Sequence, residues 1–118
     1  MNEYQTNLKR KMNELSHFVY RITKQFPREE VFGAVSQIRR AVLSVILNYI
    51  EGWARRRPAV KLNFFETSYG SLKETEYILQ FAHDEKWING DIYQPSAHLA
   101  DEIGAMLWSE IKAIRGND

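Results

Sequence analysis

The chain has 118 residues, of which 44% are hydrophobic and 26% charged, with a formal net charge of +1. This composition predicts a single globular domain over residues 1–118. Cysteine is absent, which excludes disulfides, thiolate metal sites and cysteine nucleophiles. No secretory signal and no apolar run of about 20 residues is found, so the sequence predicts a cytoplasmic protein that does not enter a membrane.

The charges are distributed unevenly along the chain. Residues 1–61 hold 12 Lys and Arg against 5 Asp and Glu, whereas residues 62–118 hold 4 against 10. Two interpretations stay open. The basic half carries an anion-binding face, or basic and acidic helices simply pack against each other.

The first predicted element is a helix over residues 4–25, because apolar residues recur there at steps of three and four. These residues are Tyr4, Leu8, Met12, Leu15, Val19, Ile22 and Phe26. Pro27 then disfavours a helical conformation for the residue before it, and so ends the helix.

Three further helices are predicted, over residues 29–56, 59–86 and 92–115. The sequence RRRP separates the second from the third, and Pro58 suits the first turn of a helix. The sequence WINGD separates the third from the fourth, since Asn-Gly favours a turn. No segment alternates as a strand does. Four long helices with short connections predict an all-α, up-down-up-down four-helix bundle.

The second helix carries more apolar residues than one face of a bundle can bury. A helix that is apolar nearly all round is normally covered nearly all round, which predicts contact with another copy of the chain in a homo-oligomer. The alternative is a Trp half-buried at the end of the bundle. The candidate interface residues are Leu43, Leu47, Tyr49, Ile50 and Trp53.

A line of polar residues runs along the same helix at steps of four, four, three and four. Its members are Arg40, Ser44, Asn48, Glu51 and Arg55. Glu76 lies on an apolar face of the third helix and needs a polar partner there. We therefore predict a structural network that joins Glu76, and with it Glu74, to Arg40 and Asn48 across the core. The alternative is a solvent-facing line that binds an anion.

No signature of catalysis is present. The sequence lacks a nucleophile elbow, a zinc-protease motif, a phosphate-binding glycine loop and a dinucleotide fingerprint. Glu14 and His17 have the spacing of a di-iron half-site, but no second such unit exists. The sequence thus predicts a protein without catalytic residues, metal or cofactor.

Two clusters of cations are candidates for nucleic-acid binding. The first follows Trp53 and comprises Arg55, Arg56, Arg57 and Lys61. Guanidinium groups beside an aromatic ring suit phosphates and unstacked bases, although cations also suit a solvated helix end. The second comprises Lys9, Arg10 and Lys11.

The motifs F-P, Q-x-x-R-A, N-x-x-E-G-x-x-R and G-S-L-x-E-x-E together resemble a known family. They lie at Phe26-Pro27, Gln37, Arg40, Ala41, Asn48, Glu51, Gly52, Arg55, Gly70, Ser71, Leu72, Glu74 and Glu76. The chain is similar over residues 20–85 to the bacterial four-helix-bundle proteins encoded in intervening sequences of 23S ribosomal RNA genes. It also resembles the accessory variability proteins of diversity-generating retroelements.

This resemblance implies a homopentamer without known enzymatic activity. For the retroelement relatives it implies binding to nucleic acid, RNA or DNA, and to a reverse transcriptase. Unlike those relatives, which are strongly basic, this chain is nearly neutral. Two functions are therefore predicted as alternatives: an oligomeric accessory protein associated with nucleic acid or a ribonucleoprotein, and a protein-interaction scaffold that does not bind nucleic acid directly.

Overall fold

The structure, a computed structural model, describes residues 1–116 as four helices. They are α1 (Glu3–Ile22), α2 (Ala34–Trp53), α3 (Pro58–Asp84) and α4 (Gly90–Arg115). Two single 3₁₀ turns, Thr23–Gln25 and Arg28–Glu30, lie between α1 and α2. Within residues 1–116 there is no strand, so the predicted all-α class is confirmed.

Helices α1, α3 and α4 begin where a cap or a proline favours it. The side chain of Asn2 accepts a hydrogen bond from the backbone N–H of Gln5 at 2.9 Å, and the Gln5 side chain accepts one from the backbone N–H of Asn2. Pro58 occupies the first turn of α3, as predicted. Helix α4 begins two residues earlier than predicted, because the side chain of Asn89 accepts a hydrogen bond from the N–H of Ile92 at 3.0 Å.

Helix α2 is shorter than the predicted range 29–56. Gly33 has a non-helical backbone, with φ −109° and ψ −110°, and separates the turn at Arg28–Glu30 from the helix proper. The carboxylate of Glu30 reaches over this break and accepts a hydrogen bond from the N–H of Ala34 at 3.1 Å. At its other end α2 stops at Trp53, so the arginines that follow belong to the connection to α3.

The helices pack in the order of the sequence, and α1 closes the arrangement by packing against α4. Short connections between neighbouring helices give the contacts expected of an up-down-up-down bundle. The core consists of the residues at steps of three and four, such as Leu8, Leu15, Leu72 and Leu107, which are inaccessible to solvent. Burying one such side chain contributes about 1.5–3 kcal/mol to folding.

Helices α2 and α3 approach each other closely because small residues lie between them. Gly52 packs against the ring of Phe65, which leaves no room for a β-carbon on residue 52. Ser68 is fully buried, and its hydroxyl donates a hydrogen bond to the backbone carbonyl of Val45 at 2.6 Å. These contacts hold the C-terminal half of α2 against the N-terminal half of α3.

Candidate functional site

The polar line on α2 forms two local groups of contacts. The hydroxyl oxygens of Ser44 and Ser71 lie 2.7 Å apart, which joins α2 to α3. The Asn48 amide donates hydrogen bonds to the carbonyl and to the hydroxyl of Ser44, at 2.8 and 2.9 Å. One turn later Glu51 forms an ion pair with Arg55. The central part of the line is therefore a structural contact between two helices.

The predicted network between Glu76 and α2 is wrong. Glu76 lies on the side of α3 that faces α4, where it lines a small cleft with Asp101. Its carboxylate oxygen is 3.3 Å from the ammonium nitrogen of Lys73 on its own helix. The side chain of Arg40 is exposed and makes neither a hydrogen bond nor an ion pair with any residue in 1–116. Asn48 finds its partner on its own helix.

Glu74, the other acidic residue of the predicted network, does connect the two helices. Its carboxylate accepts a hydrogen bond from the side-chain amide of Gln37 on α2. Both side chains are exposed, so the contact closes the outer edge of the α2–α3 pair and not its core.

The first basic cluster lies in the connection between α2 and α3. Arg55, Arg56 and Arg57 are exposed, directly after the end of α2. The guanidinium of Arg55 lies 5.1 Å from the centre of the Phe64 ring, and the ammonium of Lys61 lies 4.4 Å from the centre of the Trp53 ring. The structure thus places all four cations at one junction, and two of them, Arg55 and Lys61, lie over aromatic rings.

The cations of this junction differ in how far their charge is compensated. Arg55 is paired with Glu51. The side chains of Arg56 and Arg57 form no hydrogen bond and no ion pair with the residues that the structure describes. A free guanidinium presents planar donors that match the two oxygens of a phosphate. Arg56 and Arg57 are therefore the least compensated cations of the cluster among the described residues.

The second basic cluster is divided between two faces of α1. Lys11 faces α4 and forms an ion pair with Glu102 at 3.1 Å, so its charge is compensated. Lys9 and Arg10 border a depression of about 280 Å³ between α1 and α2, with Ile46 at its side. Because the three cations do not share one surface, this cluster is a weaker candidate than the junction.

Three of the five predicted interface residues form an exposed apolar stripe on α2. Leu43, Leu47 and Ile50 are 37%, 59% and 39% exposed. Trp53 is half-buried against Phe65. The three exposed residues follow one another at steps of four and three, and Leu43 also borders the groove between α1 and α2.

Tyr49 was wrongly predicted to contact another subunit, because it is inaccessible to solvent within the monomer. Its ring stacks on Phe65 at 4.9 Å, and its hydroxyl donates a hydrogen bond to Glu110 on α4. Burial raises the pKa of Tyr49 above its ordinary range, and the adjacent Glu110 raises it further.

Glu110 is a half-buried carboxylate that the sequence interpretation missed. It also accepts a hydrogen bond from the side-chain amide of Gln5 at 3.4 Å, and burial raises its pKa although both hydrogen bonds act in the opposite direction. The signal was present in the sequence. Glu110 interrupts the apolar series Ile103, Leu107 and Ile114 at steps of three and four, as Glu76 does on α3.

The described residues offer no conspicuous place for a metal. No group of three His, Asp or Glu side chains within residues 1–116 is arranged to hold a metal ion. His17 borders the groove between α1 and α2 with Tyr20 and Leu43. None of the four helices, as far as the structure describes them, has the length and apolar character needed to cross a membrane.

A solved structure has the same fold as this chain. A crystal structure of a protein of unknown function from the S23 ribosomal protein family, from Bacteroides thetaiotaomicron VPI-5482, superposes with a TM-score of 0.80 at 24% sequence identity. The alignment covers 89% of this chain and 98% of that one, which supports the four-helix fold. No protein with a curated description matches the sequence significantly.

The family resemblance rests on more than the central motifs. The sequence matches the family described as 23S rRNA-intervening sequence protein over residues 5–109, from the first turn of α1 to the last turns of α4. The match therefore includes the α2–α3 pair and the basic junction, and Glu110 lies just beyond it. The chain belongs to the 23S rRNA-intervening sequence protein family.

Proposed function

We propose that this chain is a non-enzymatic, oligomeric accessory protein that associates with nucleic acid, either alone or within a complex with a reverse transcriptase or another protein. The observation that carries this proposal is the junction between α2 and α3. Two exposed arginines that have no counter-ion among residues 1–116, Arg56 and Arg57, lie there beside the stacked pair of Lys61 and Trp53. Cations interleaved with aromatic rings bind phosphates and bases together.

The proposed affinity is electrostatic in origin. Each phosphate that a cation neutralises releases counter-ions, so binding weakens steeply as salt is added. The whole chain carries a net charge of only +1, but its first 61 residues carry the excess of cations. A local surface, and not the total charge, determines the potential that a nearby phosphate meets.

Self-association would strengthen this binding. We propose that copies of the chain associate, as the homopentamer that the resemblance implies, and that Leu43, Leu47 and Ile50 are covered in the assembly. Exposed apolar side chains at helical spacing favour such a contact. An assembly would repeat the basic junction in each copy, and the binding of several junctions to one strand would add avidity.

The test is retention of RNA and DNA as a function of salt, with Arg55, Arg56 and Arg57 all replaced by Ala. We expect the triple variant to lose retention. The slope of the logarithm of the binding constant against the logarithm of the salt concentration should decrease in magnitude by about two to three. The control replaces Arg21, Lys24 and Arg28, which are exposed at the end of α1 and on the connection to α2, and removes the same charge. Equal losses in both variants would mean that net charge alone matters and would contradict the proposal.

The second candidate function is a protein-interaction scaffold without direct nucleic-acid binding. The exposed stripe at Leu43, Leu47 and Ile50 favours it, since exposed apolar surface of this kind also fits a protein partner. Purification after nuclease treatment separates the two functions. A protein that still co-purifies, together with an absence of binding to added RNA or DNA, would support the scaffold and contradict the first proposal.

A further inference from the structure

A second aromatic surface lies on the outer face of α3 and α4, and its cations were not singled out by the sequence. Trp108 on α4 is 37% exposed. Its ring lies 5.3 Å from that of Tyr69 on α3, at an interplanar angle of 42°. The guanidinium of Arg115 lies 5.1 Å from the centre of the same Trp108 ring. Two aromatic rings and a cation thus meet at the surface.

The spacing along α4 explains why these side chains face outwards. The core of α4 is formed by Ile103, Leu107 and Ile111, which are inaccessible to solvent. Trp108, Lys112 and Arg115 follow at steps of four and three on the neighbouring face. Tyr69 and Arg115 cover part of the Trp108 ring, and the rest is exposed apolar surface that a ligand could bury.

The cations around Trp108 are held in place to different degrees. Arg115 forms an ion pair with Glu66, which fixes its guanidinium over the indole. Lys73 lies 5.1 Å from the centre of the Tyr69 ring and is paired with Glu76. Burial by itself would lower the pKa of Lys73, but Glu76 raises it overall, so this lysine stays charged.

Of the cations around Trp108, Lys112 is the one that has no acidic partner among residues 1–116. It borders, together with Trp108, Arg115 and Gly116, a depression of about 310 Å³. Ligand pockets begin at about this size. The depression therefore combines an aromatic ring, one oriented guanidinium and one free ammonium group.

We propose that this surface, the Trp108 platform, binds unpaired nucleotides of a single-stranded nucleic acid. The base covers the part of the Trp108 ring that Tyr69 and Arg115 leave exposed, and Lys112 contacts the neighbouring phosphate. Stacking on an exposed ring accepts any base, because every base has a π-face. The inference rests on the proposed function and deepens it, since it names the strand form that is bound and a second surface away from the α2–α3 junction.

The chemistry favours a single strand over other anionic partners. In a duplex the bases are already stacked on each other and cannot reach a ring on a helix surface, so a duplex would use only the cations. An acidic peptide would likewise pair with Lys112 but would leave the exposed part of the Trp108 ring uncovered. The ring and the cations together match a base joined to a phosphate.

The experiment measures the anisotropy of a labelled single-stranded 12-nucleotide oligomer and of a duplex of equal length, both at low salt. We expect Trp108→Leu to weaken single-strand binding by about 5- to 150-fold and to leave duplex binding unchanged. Trp108→Phe retains a stacking ring and should restore most of the affinity. Lys112→Ala should lower the magnitude of the same slope, log binding constant against log salt concentration, by about 0.7 for the single strand.

Lys24→Ala is the matched control for Lys112→Ala, since it removes the same charge from an exposed site on the connection that follows α1. Helical content by circular dichroism shows whether each variant is folded. If Trp108→Leu does not fold, the other two variants decide. The platform is overturned if Lys112→Ala leaves the salt dependence unchanged, or if Trp108→Phe weakens single-strand binding by the about 5- to 150-fold expected for a lost ring.

The outcomes separate this inference from the proposed function. Single-strand binding that is lost in the Arg55, Arg56 and Arg57 variant and unchanged in Trp108→Leu would overturn the platform and support the junction. Loss in Trp108→Leu with Trp108→Phe restored would support the platform. If the unmodified protein binds neither the single strand nor the duplex, both proposals are wrong.

Discussion

Helix α2 packs against its two neighbours in different ways. On the side of α3, small residues bring the helices together, with Gly52 in contact with Phe65 and the hydroxyls of Ser44 and Ser71 at 2.7 Å. On the side of α1, a groove of about 240 Å³ remains, bordered by Leu43 and polar residues of α1. The same helix is closely fitted on one side and partly uncovered on the other.

The two sides of α2 should therefore affect different properties: the α3 side the stability of the fold, and the open side any association with another molecule. Side chains between α2 and α3 are already buried, so changing them should alter the free energy of unfolding. Side chains at the open edge are covered only if another molecule binds, so changing them should leave the fold intact and should alter assembly if copies of the chain associate there. Substitutions on the two sides of α2 should therefore have different effects on stability and on assembly.

The largest effect is expected for Gly52→Ala. The added β-carbon would lie 2.6 Å from a ring carbon of Phe65 and 3.2 Å from the β-carbon of Phe64, so the buried Phe65 ring or the helices themselves must shift. Overpacking of this kind costs about 1–3 kcal/mol, more than the gain of up to about 1 kcal/mol from replacing a helical glycine. Urea denaturation measures the difference.

Gly70→Ala provides the control for this prediction. Gly70 lies in α3, and a β-carbon there would meet no atom within 4 Å. The substitution should therefore stabilise the protein by about 0.5–1 kcal/mol. A Gly52→Ala protein as stable as Gly70→Ala would show that α2 and α3 are not held as closely as described.

The next effect is expected for Ser68→Ala. This substitution removes the hydrogen bond between the buried hydroxyl and the carbonyl of Val45 on α2, at a cost of about 1 kcal/mol. Thr67→Ala is the control, because its hydroxyl bonds only to Asn63 on its own helix and is exposed. Equal losses from the two substitutions would contradict a specific role for the bond between helices.

A smaller and pH-dependent effect is expected where α2 meets α4. Burial raises the pKa of Glu110 above its ordinary value of 4.5, so the folded protein holds this proton more tightly than the unfolded chain does. The resulting stability is fully present below the ordinary pKa and is lost as pH rises through the pKa of the folded state. Glu110→Gln removes this dependence.

The measurement is the free energy of unfolding of the natural protein and of Glu110→Gln from pH 4 to pH 7. The amide that Glu110→Gln introduces stays uncharged and could still accept the hydrogen bond from Tyr49, so the variant should gain stability relative to the natural protein as pH rises. Glu102→Gln, on an outer face of α4, serves as the control. A constant difference between the natural protein and Glu110→Gln across this range would refute the assignment.

The sequence predicted the fold well because periodicity reports which residues face the core. The buried series of α1, from Leu8 to Ile22, is the one that its spacing indicated. The boundaries were less predictable, since Gly33 and the Asn89 cap act through local backbone geometry. The sequence also predicted one common junction for four cations, because they are close together in the chain: Arg55, Arg56, Arg57 and Lys61.

The directions of individual side chains could not be predicted in the same way. Glu76 and Tyr49 both lie on helices with apolar residues on several sides, and spacing does not say which neighbouring helix each one meets. The structure turns Glu76 towards α4 and Tyr49 into the core. Trp108 and Tyr69 are far apart in the sequence, so their contact follows from the packing of α3 on α4.

The smallest effect on folding is expected for Leu47→Lys, at the open edge of α2. Leu47 is 59% exposed, and Lys favours a helix about as well as Leu, so stability should change by no more than about 0.5 kcal/mol. If copies of the chain associate through this stripe, a charge placed there must be desolvated and the assembly should dissociate. Light scattering measures the mass of the natural protein and of the variant.

Phe32→Lys is the matched control, because Phe32 is 94% exposed on the connection before α2 and the substitution adds the same charge. It should leave the mass unchanged. A natural protein that is already a 13.9 kDa monomer would remove the stripe as a subunit contact. An assembly that survives Leu47→Lys but dissociates with Phe32→Lys would move the contact to the connection between α1 and α2. If only Leu47→Lys has a lower assembly mass, and it is still folded, then the α3 side of α2 stabilises the bundle and the exposed stripe contacts another subunit.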